Sequence, residues 1–472
     1  MRNLTKILFS LNFLYILIIA AETVAIIFLC IYIPAFMSVA GAFAVIWLVT
    51  LTACISVAKR GTSNEVNFAL VLMITALPVV GAIIYAVFSR KRKERGTLTV
   101  ENADPRSPME TACLYYCGIG GADYDGAVYF KSGEEYITRL LKEIEKAEKY
   151  VYLEYFIICR GQIFSRLLSA LKTAVSRGAE VRIIADGVGC AFKTGRREIK
   201  RLKSAGAKIK IFHRLVPLLS SRLNLRDHRK IAVIDGKSAF TGGINIADEY
   251  ANIQSPYGYW KDTGVAVFGP ASKVFEGMFL SLWDGSCAIE IQDGGKGRCL
   301  PYYDSPYARA GFCESAYLKA ISSAEERIHI FTPYFCATEK LACALEFAAR
   351  RGVDVRIIVP HVPDKKYAFE LTKTSALPLS AAGVKFYEYT PGFMHAKSMV
   401  CDDFVFIGSY NFDFRSMRLN YECGIMFEGE ICEQAERDFW ECLRLSSPLT
   451  ENKISPPRAF LRFILKLFAP LV

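Results

Sequence analysis

A chain that writes one run of segments twice is constrained to build one kind of unit twice, and such a run lies between residues 147 and 416. The first copy reads AEKYVYLEYF (147–156), RGAEVRIIADG (177–187), AGAKIKIFH (205–213), HRKIAVIDG (228–236) and TGGINIADEY (241–250). The second reads AEERIHIFTPYF (324–335), RGVDVRIIVPH (351–361), AGVKFYEY (382–389), HAKSMVCDD (395–403) and IGSYNFDFRS (407–416). Periodic self-similarity of this kind marks a repeated supersecondary unit. Within each copy, LLSALKTAVSRG and KLACALEFAARRG set apolar residues at helical spacing and end at glycine. VRIIAD and VRIIVP are short, β-branched and apolar, as buried strands are. Strands alternating with helices predict an α/β fold, with a mostly parallel sheet covered on both faces in each copy. Two copies predict two lobes related by a pseudo-twofold axis that brings matching segments face to face.

The chain has only five histidines, and two of them share a frame. His228 and His395 are each followed at two residues by lysine (Lys230, Lys397) and at seven by aspartate (Asp235, Asp402). On a strand, residues two apart point to one side, so each histidine shares a face with its lysine. Beyond each aspartate comes a turn with a polar follower: Gly242, Gly243 and Asn245, then Gly408, Ser409 and Asn411. Brought together, these groups form a cationic pocket with two imidazoles.

Such a pocket suits phosphoryl transfer. Phosphodiesters resist attack because of their charge, and Lys230, Lys397, Asn245 and Asn411 are suited to balance the oxygens of a five-coordinate transition state. One neutral histidine attacks phosphorus and becomes a phosphohistidine. The other, protonated, donates to the leaving alkoxide and then takes the proton of the incoming nucleophile. The scheme calls for no metal and no cofactor. Asp235, Asp402, Glu249 and Glu422 are candidates to orient the imidazoles. Asp403 competes with Asp402, because five residues separate Asp402 from Gly408 and six separate Asp235 from Gly242. His213, His329 and His361 lack the frame and are read as structural.

The N-terminus points to a membrane. From Ile7 to Ala58 the only formal charge is Glu22, enough chain for two spans hinged at Pro34. A third apolar run, Phe68 to Ser89, is interrupted by Pro78 and Gly81 and spans or re-enters. Basic clusters flank the runs, and the largest, RKRKER (90–95), places the rest of the chain on the cytoplasmic side. Fifteen cysteines without a regular CxxC pair fit a reducing compartment. At the C-terminus Arg458, Arg462 and Lys466 stand four apart among large apolar residues. That pattern reads as a helix on anionic lipid, with docking on its own domain as the alternative. A net charge of +11 favours an anionic partner, and Arg226 and Arg229 beside His228 fit that reading. The membrane run favours lipid over nucleic acid. TPYF (332–335) and KFYEYTPGFMH (385–395) are a candidate acyl-chain path, with core and loop aromatics as the alternative.

The paired frames, with NLRDHRKIAVIDGKSAFTGGINIADEY, YWKDTGVAVFGP, GSYNFDFRS, LNYE (419–422) and LPVVGAIIYAVFSRKRK, resemble the phospholipase D superfamily and, within it, the bacterial cardiolipin synthases. The likeness runs over nearly the whole chain. It implies two phospholipase D-like α/β/α sandwich lobes, 125–295 and 296–450, with pseudo-twofold symmetry. They follow a membrane region, 1–97, with two or three transmembrane helices, and a linker, 98–124. An amphipathic membrane-surface helix, 451–472, completes the chain. The resemblance implies transfer of a phosphatidyl group from one phosphatidylglycerol to another, giving cardiolipin and glycerol. His228 is then the nucleophile and His395 the acid and base, with the reverse open because the lobes look alike. The implied partners are phosphatidylglycerol and anionic membrane lipids, with no nucleic acid and oligomeric state unassigned. The implied place is the bacterial cell membrane, with the lobes on the cytoplasmic side. The alternatives are a phospholipase D-type hydrolase, a phosphatidyltransferase using another alcohol, and, further off, a phosphodiesterase or nuclease.

Overall fold

The computed structural model describes Val24 and residues 36–58, 64–88, 97–191, 195–213, 225–307, 311–450 and 455–468. The chain divides into an N-terminal unit, residues 1–91 with 217–221 and 470–472, and a larger unit holding the rest. The run from Ile7 to Pro34, apart from Val24, and the basic clusters around residues 2–6, 59–60 and 90–95 lie outside the described residues.

In the N-terminal unit, helix Phe36–Ala58 carries 23 residues without a formal charge. It packs with Asn64–Ala76 and Pro78–Phe88 around Val57, Leu70, Ile74 and Tyr85. The third apolar run is therefore two helices. They part at Leu77, because Pro78 has no N–H to continue the ladder. Among the described residues no helix is long and apolar enough to cross a membrane.

The larger unit holds two sheets of matching order. In the first, strands run Gly126–Phe130, Gly264–Phe268, Ser238–Gly242, Lys230–Ile234, Tyr150–Tyr155, Glu180–Asp186 and Lys208–Phe212. In the second, Gly297–Asp304, Asn420–Glu428, Phe404–Gly408, Ser398–Cys401, Arg327–Phe331, Asp354–Pro360 and Lys385–Tyr389 repeat that order. The expectation of mostly parallel sheets is corrected. In the first sheet only Tyr150–Tyr155 with Glu180–Asp186, and the latter with Lys208–Phe212, are parallel. The other neighbours are antiparallel. The reason is the connection: the motif strand turns back through residues 235–237 in one lobe and 402–403 in the other, far too short for a parallel crossover. Helices sit where the parallel strands need them. Helix Ala271–Asp284 lies on the first sheet and also meets Gly297–Asp304 of the second. Its Phe275, Met278 and Phe279 are fully buried, each contributing about 1.5–3 kcal/mol by area.

Residues 98–124 are more than a linker. Thr97–Val100 pairs with Ser286–Ile289, and Ala122–Tyr124 pairs with Gly297–Cys299. Leu98 and Val100 alternate inward. Cys113 and Cys117, four apart on helix Pro108–Cys117, bury the same face of that helix. At the C-terminus, Arg458 and Arg462 of helix Pro456–Phe468 both pair with Glu370 of helix Lys366–Ala381. The two arginines of the basic stripe thus dock this helix on the second lobe, while Phe460, Leu461 and Phe463 stay exposed.

Candidate active site

Two short parallel pairings between the lobes set the geometry. Arg226–Asp227 runs beside Asn420–Tyr421, so the next residues, His228 and Glu422, face each other. Tyr259–Lys261 runs beside Gly392–Met394, so Asp262 and His395 face each other. The main chain fixes both histidines at the start of their motifs: His228 N–H donates to Tyr421 O at 2.9 Å, and His395 N–H donates to Lys261 O at 2.7 Å.

Each imidazole is consequently held by a carboxylate of the opposite lobe. His228 Nδ1 lies 2.9 and 3.0 Å from the Glu422 oxygens. His395 Nδ1 lies 2.6 Å from Asp262 Oδ2. With Nδ1 occupied, no described residue hydrogen-bonds Nε2 of either ring, and Nε2 is the nitrogen left for chemistry. The supports differ between lobes at one repeat position. Ser409 Oγ donates to Glu422. Its counterpart Gly243 leaves room for Asp262, since a Cβ there would stand 2.1 Å from Asp262 Oδ1.

Lys230 and Lys397 are buried beside the histidines. Lys230 Nζ donates to His228 O, and Lys397 Nζ donates to His395 O and lies 2.9 Å from its Nδ1. Burial disfavours every charge here. It pushes Lys230 down to about 8 and Lys397 down to about 7, against the pull of Glu422 and Asp262. It lowers His228 to about 4 and His395 well below its ordinary value, aided by the lysines. Asp262 is raised to about 7 by burial, with Lys397 opposing. Burial also works against Glu422, but His228, Lys230 and Ser409 outweigh it and keep that carboxyl below its ordinary value. The mutual effects of Lys230, His228 and Lys397 on one another mark both motifs as one electrostatic site. A bound phosphodiester anion restores charge to these cations.

Several expected residues stand elsewhere. Asp235 and Asp402 do not orient imidazoles. Seven residues of extended chain carry them about 23 Å along the strand from their histidines. Each sits in the hairpin at positive φ, 55° and 48°, and closes it. Asp235 accepts from the N–H groups of Glu148, Lys149 and Tyr150 at 2.8–2.9 Å. Asp402 accepts from Glu325, Glu326 and Arg327 at 2.8–3.1 Å. Asp402 rather than Asp403 is therefore the counterpart of Asp235, and the missing residue is a two-residue turn in place of three. Asp235→Ala and Asp402→Ala are each expected to cost about 1–3 kcal/mol of stability through the lost charge-assisted bonds. Denaturant melts check this.

Asn245 is scaffolding: its Oδ1 accepts from Ile157 N–H at 3.0 Å and its Nδ2 donates to Tyr250 OH at 2.8 Å. Asn411 is buried, and its Oδ1 has no hydrogen-bond partner among the described residues. Glu249 lies on the short helix Asp248–Ala251 beside Tyr250, whose ring meets His395 edge-on at 5.2 Å, while the carboxylate on His395 is Asp262. Arg226 and Arg229 are buried and paired, Arg226 with Asp186 and Arg229 with Glu154 and Asp227. They do not form a lipid-attracting surface. Phe335, Phe386, Tyr389 and Phe393 are core residues rather than a channel lining. His329 stacks on Phe439 and pairs with Glu436, and His361 pairs with Glu388. Among the described residues no cluster of three or more His, Cys, Asp or Glu is placed to hold a metal ion. Asp262 is the residue that sequence reasoning misses. Aligning YWKDTG with LNYECG puts it opposite Glu422, and that repeat match is the signal.

Residues 140–262 and 317–443 match the family model described as cardiolipin synthase, PLD-like domain. A cardiolipin synthase of Listeria monocytogenes is 28% identical over 471 residues, spanning 89% of this chain and 96% of that protein. A cardiolipin synthase of Geobacillus is 34% identical over 332 residues, 67% of this chain and 66% of that protein. The crystal structure of phosphatidylserine synthase from Haemophilus influenzae superposes with a TM-score of 0.58. It is 13% identical and covers 77% of this chain and 98% of that one. At that identity the likeness speaks to the fold alone.

Proposed function

The chain belongs to the cardiolipin synthase family of phospholipase D-like proteins, and on that premise we propose that it joins two phosphatidylglycerol molecules into cardiolipin with release of glycerol. The observation that carries the mechanism is the crossed pair of histidine–carboxylate contacts, His228–Glu422 and His395–Asp262, flanked by two buried lysines. In the first step His228 Nε2 attacks phosphorus of the donor. The bond from phosphorus to the headgroup glycerol oxygen breaks, and that oxygen takes the proton from His395. In the second step His395 takes the proton of the acceptor hydroxyl, the acceptor oxygen bonds to phosphorus, and the phosphorus–nitrogen bond breaks to return His228. No proton is gained or lost over the cycle. Lys230 and Lys397 balance the non-bridging oxygens. The assignment of His228 as nucleophile is supported by its carboxylate. Glu422 stays ionised and steadies the imidazole as it takes on charge, whereas burial raises Asp262.

Attachment to the bacterial membrane, with the lobes on its cytoplasmic side, is part of the same proposal. Helix Phe36–Ala58 carries no formal charge. Its Phe43, Trp47, Leu48 and Leu51 are exposed, and lipid is the cover their chemistry asks for.

Purified full-length protein in detergent, given labelled phosphatidylglycerol and EDTA, is expected to form cardiolipin and glycerol. Phosphatidic acid as the main product makes the protein a hydrolase. A product formed only when another alcohol is added makes it a different phosphatidyltransferase.

A further inference from the structure

A transferase of this kind must choose a second lipid over water at the same phosphorus. The acceptor approaches on the side of His395, because displacement at phosphorus is in line and His228 occupies the other side. The two sides of the pocket are not equivalent. After strand Glu180–Asp186 the first lobe turns into a short helix, and Asp186 is consumed by the N–H groups of Val188, Gly189 and Asp227. After the matching strand Asp354–Pro360 the second lobe instead writes HVPDKKY (361–367), a charged loop at the strand end where α/β folds place ligands.

Three side chains of that lobe converge there. Tyr334 OH donates to Asp364 Oδ2 at 2.6 Å. Lys365 Nζ stands 5.0 Å from the centre of the Tyr334 ring. The Tyr334 ring lies 6.5 Å from Phe393, which is 5.8 Å from His395. Asp364 Oδ1 is buried and has no hydrogen-bond partner among the described residues, an acceptor held without a donor. Lys365 is exposed and forms no ion pair among the described residues. Its charge is felt at His395, and that of Asp364 at Lys397. Burial and the Asp364 charge raise the Tyr334 phenol, so it remains the donor of that bond.

We propose that Asp364, Lys365 and Tyr334 form the acceptor subsite, which reads a phosphate-bearing glycerol headgroup. Asp364 Oδ1 accepts from the headgroup hydroxyl that does not react. Lys365 balances the acceptor's own phosphate. Tyr334 holds both in place. The reacting hydroxyl then falls to His395. Water and simple alcohols lack the second hydroxyl and the phosphate, and neither group engages them. This subsite rests on the transfer reading above and goes further by assigning the residues that set transfer against hydrolysis.

The test is product partition in full-length protein. Wild type, Lys365→Gln, Lys365→Arg and Asp364→Asn are given labelled phosphatidylglycerol, and cardiolipin, phosphatidic acid and glycerol are measured. Lys365→Gln and Asp364→Asn are expected to lower the ratio of cardiolipin to phosphatidic acid by about tenfold, the size of one lost charge-assisted contact. Lys365→Arg is expected to restore most of the ratio. Lys365 is exposed, so its folding is not at stake, and a uniform loss of enzyme lowers both products without moving the ratio. An unchanged ratio in both variants overturns the subsite and leaves the transferase reading standing. A wild type that forms no cardiolipin overturns both.

Discussion

Replacing His228 with alanine is expected to lower cardiolipin formation by about 10⁴-fold or more, because the group that makes the covalent bond is gone. His395→Ala is expected to be similarly slow in turnover for a different reason: the leaving alkoxide finds no proton. A phosphodiester donor with an acidic phenol as leaving group separates the two. Such a leaving group departs without a proton, so His395→Ala should release phenolate in a burst and retain label on the peptide bearing residue 228. His228→Ala should give neither burst nor label. Label on the peptide bearing His395 would reverse the assignment. Stability supplies a second readout. Burial lowers His228 to about 4 from its ordinary 6.5. Between those values the unfolded chain takes a proton there and the folded one does not, so this site contributes stability that is present above pH 6.5 and lost as pH falls toward 4. His228→Ala should therefore melt with a shallower pH dependence over that window than wild type.

The parts of this site that are legible in the sequence are those fixed by strand alternation. His228 with Lys230, and His395 with Lys397, follow from a period of two, and the repeat predicts their meeting. The aspartates of the frame invite a chemical reading for the same reason that they defeat it. Their spacing is the length of the motif strand plus the start of its hairpin, so it measures structure. Arg229 is misread as surface charge when taken by composition. Alternation sets it opposite Lys230, on the face where Glu154 and Asp227 wait. Parallel sheets are expected because helices alternate with strands over most of each copy, yet the hairpins after Ile234 and Cys401 add antiparallel partners on the other side of the sheet. What no single copy carries is the crossing of partners. Glu422 and Asp262 each serve the histidine of the other lobe, and only the two inter-lobe strand pairings reveal it.

That crossing predicts how the two carboxylates fail. Glu422→Gln and Asp262→Asn keep size and shape, and each removes the charge that holds Nδ1–H and steadies the imidazolium. Each is expected to lower turnover by about 10²–10⁴-fold. The effects should differ by lobe in the unexpected direction. Glu422→Gln, a change in the second lobe, should abolish the phenolate burst, because it disables His228 of the first. Asp262→Asn, in the first lobe, should leave the burst and slow only the transfer to the acceptor, because it disables His395 of the second. The pH profile adds a signature. Asp262 is raised to about 7, so above that pH the His395–Asp262 pair loses the proton that the leaving alkoxide needs, and the rate should show a limb that falls with rising pH near 7. Asp262→Asn should erase that limb and Glu422→Gln should keep it. If each variant instead impaired the histidine of its own lobe, the hydrogen bonds across the interface would not be the ones that orient the reaction.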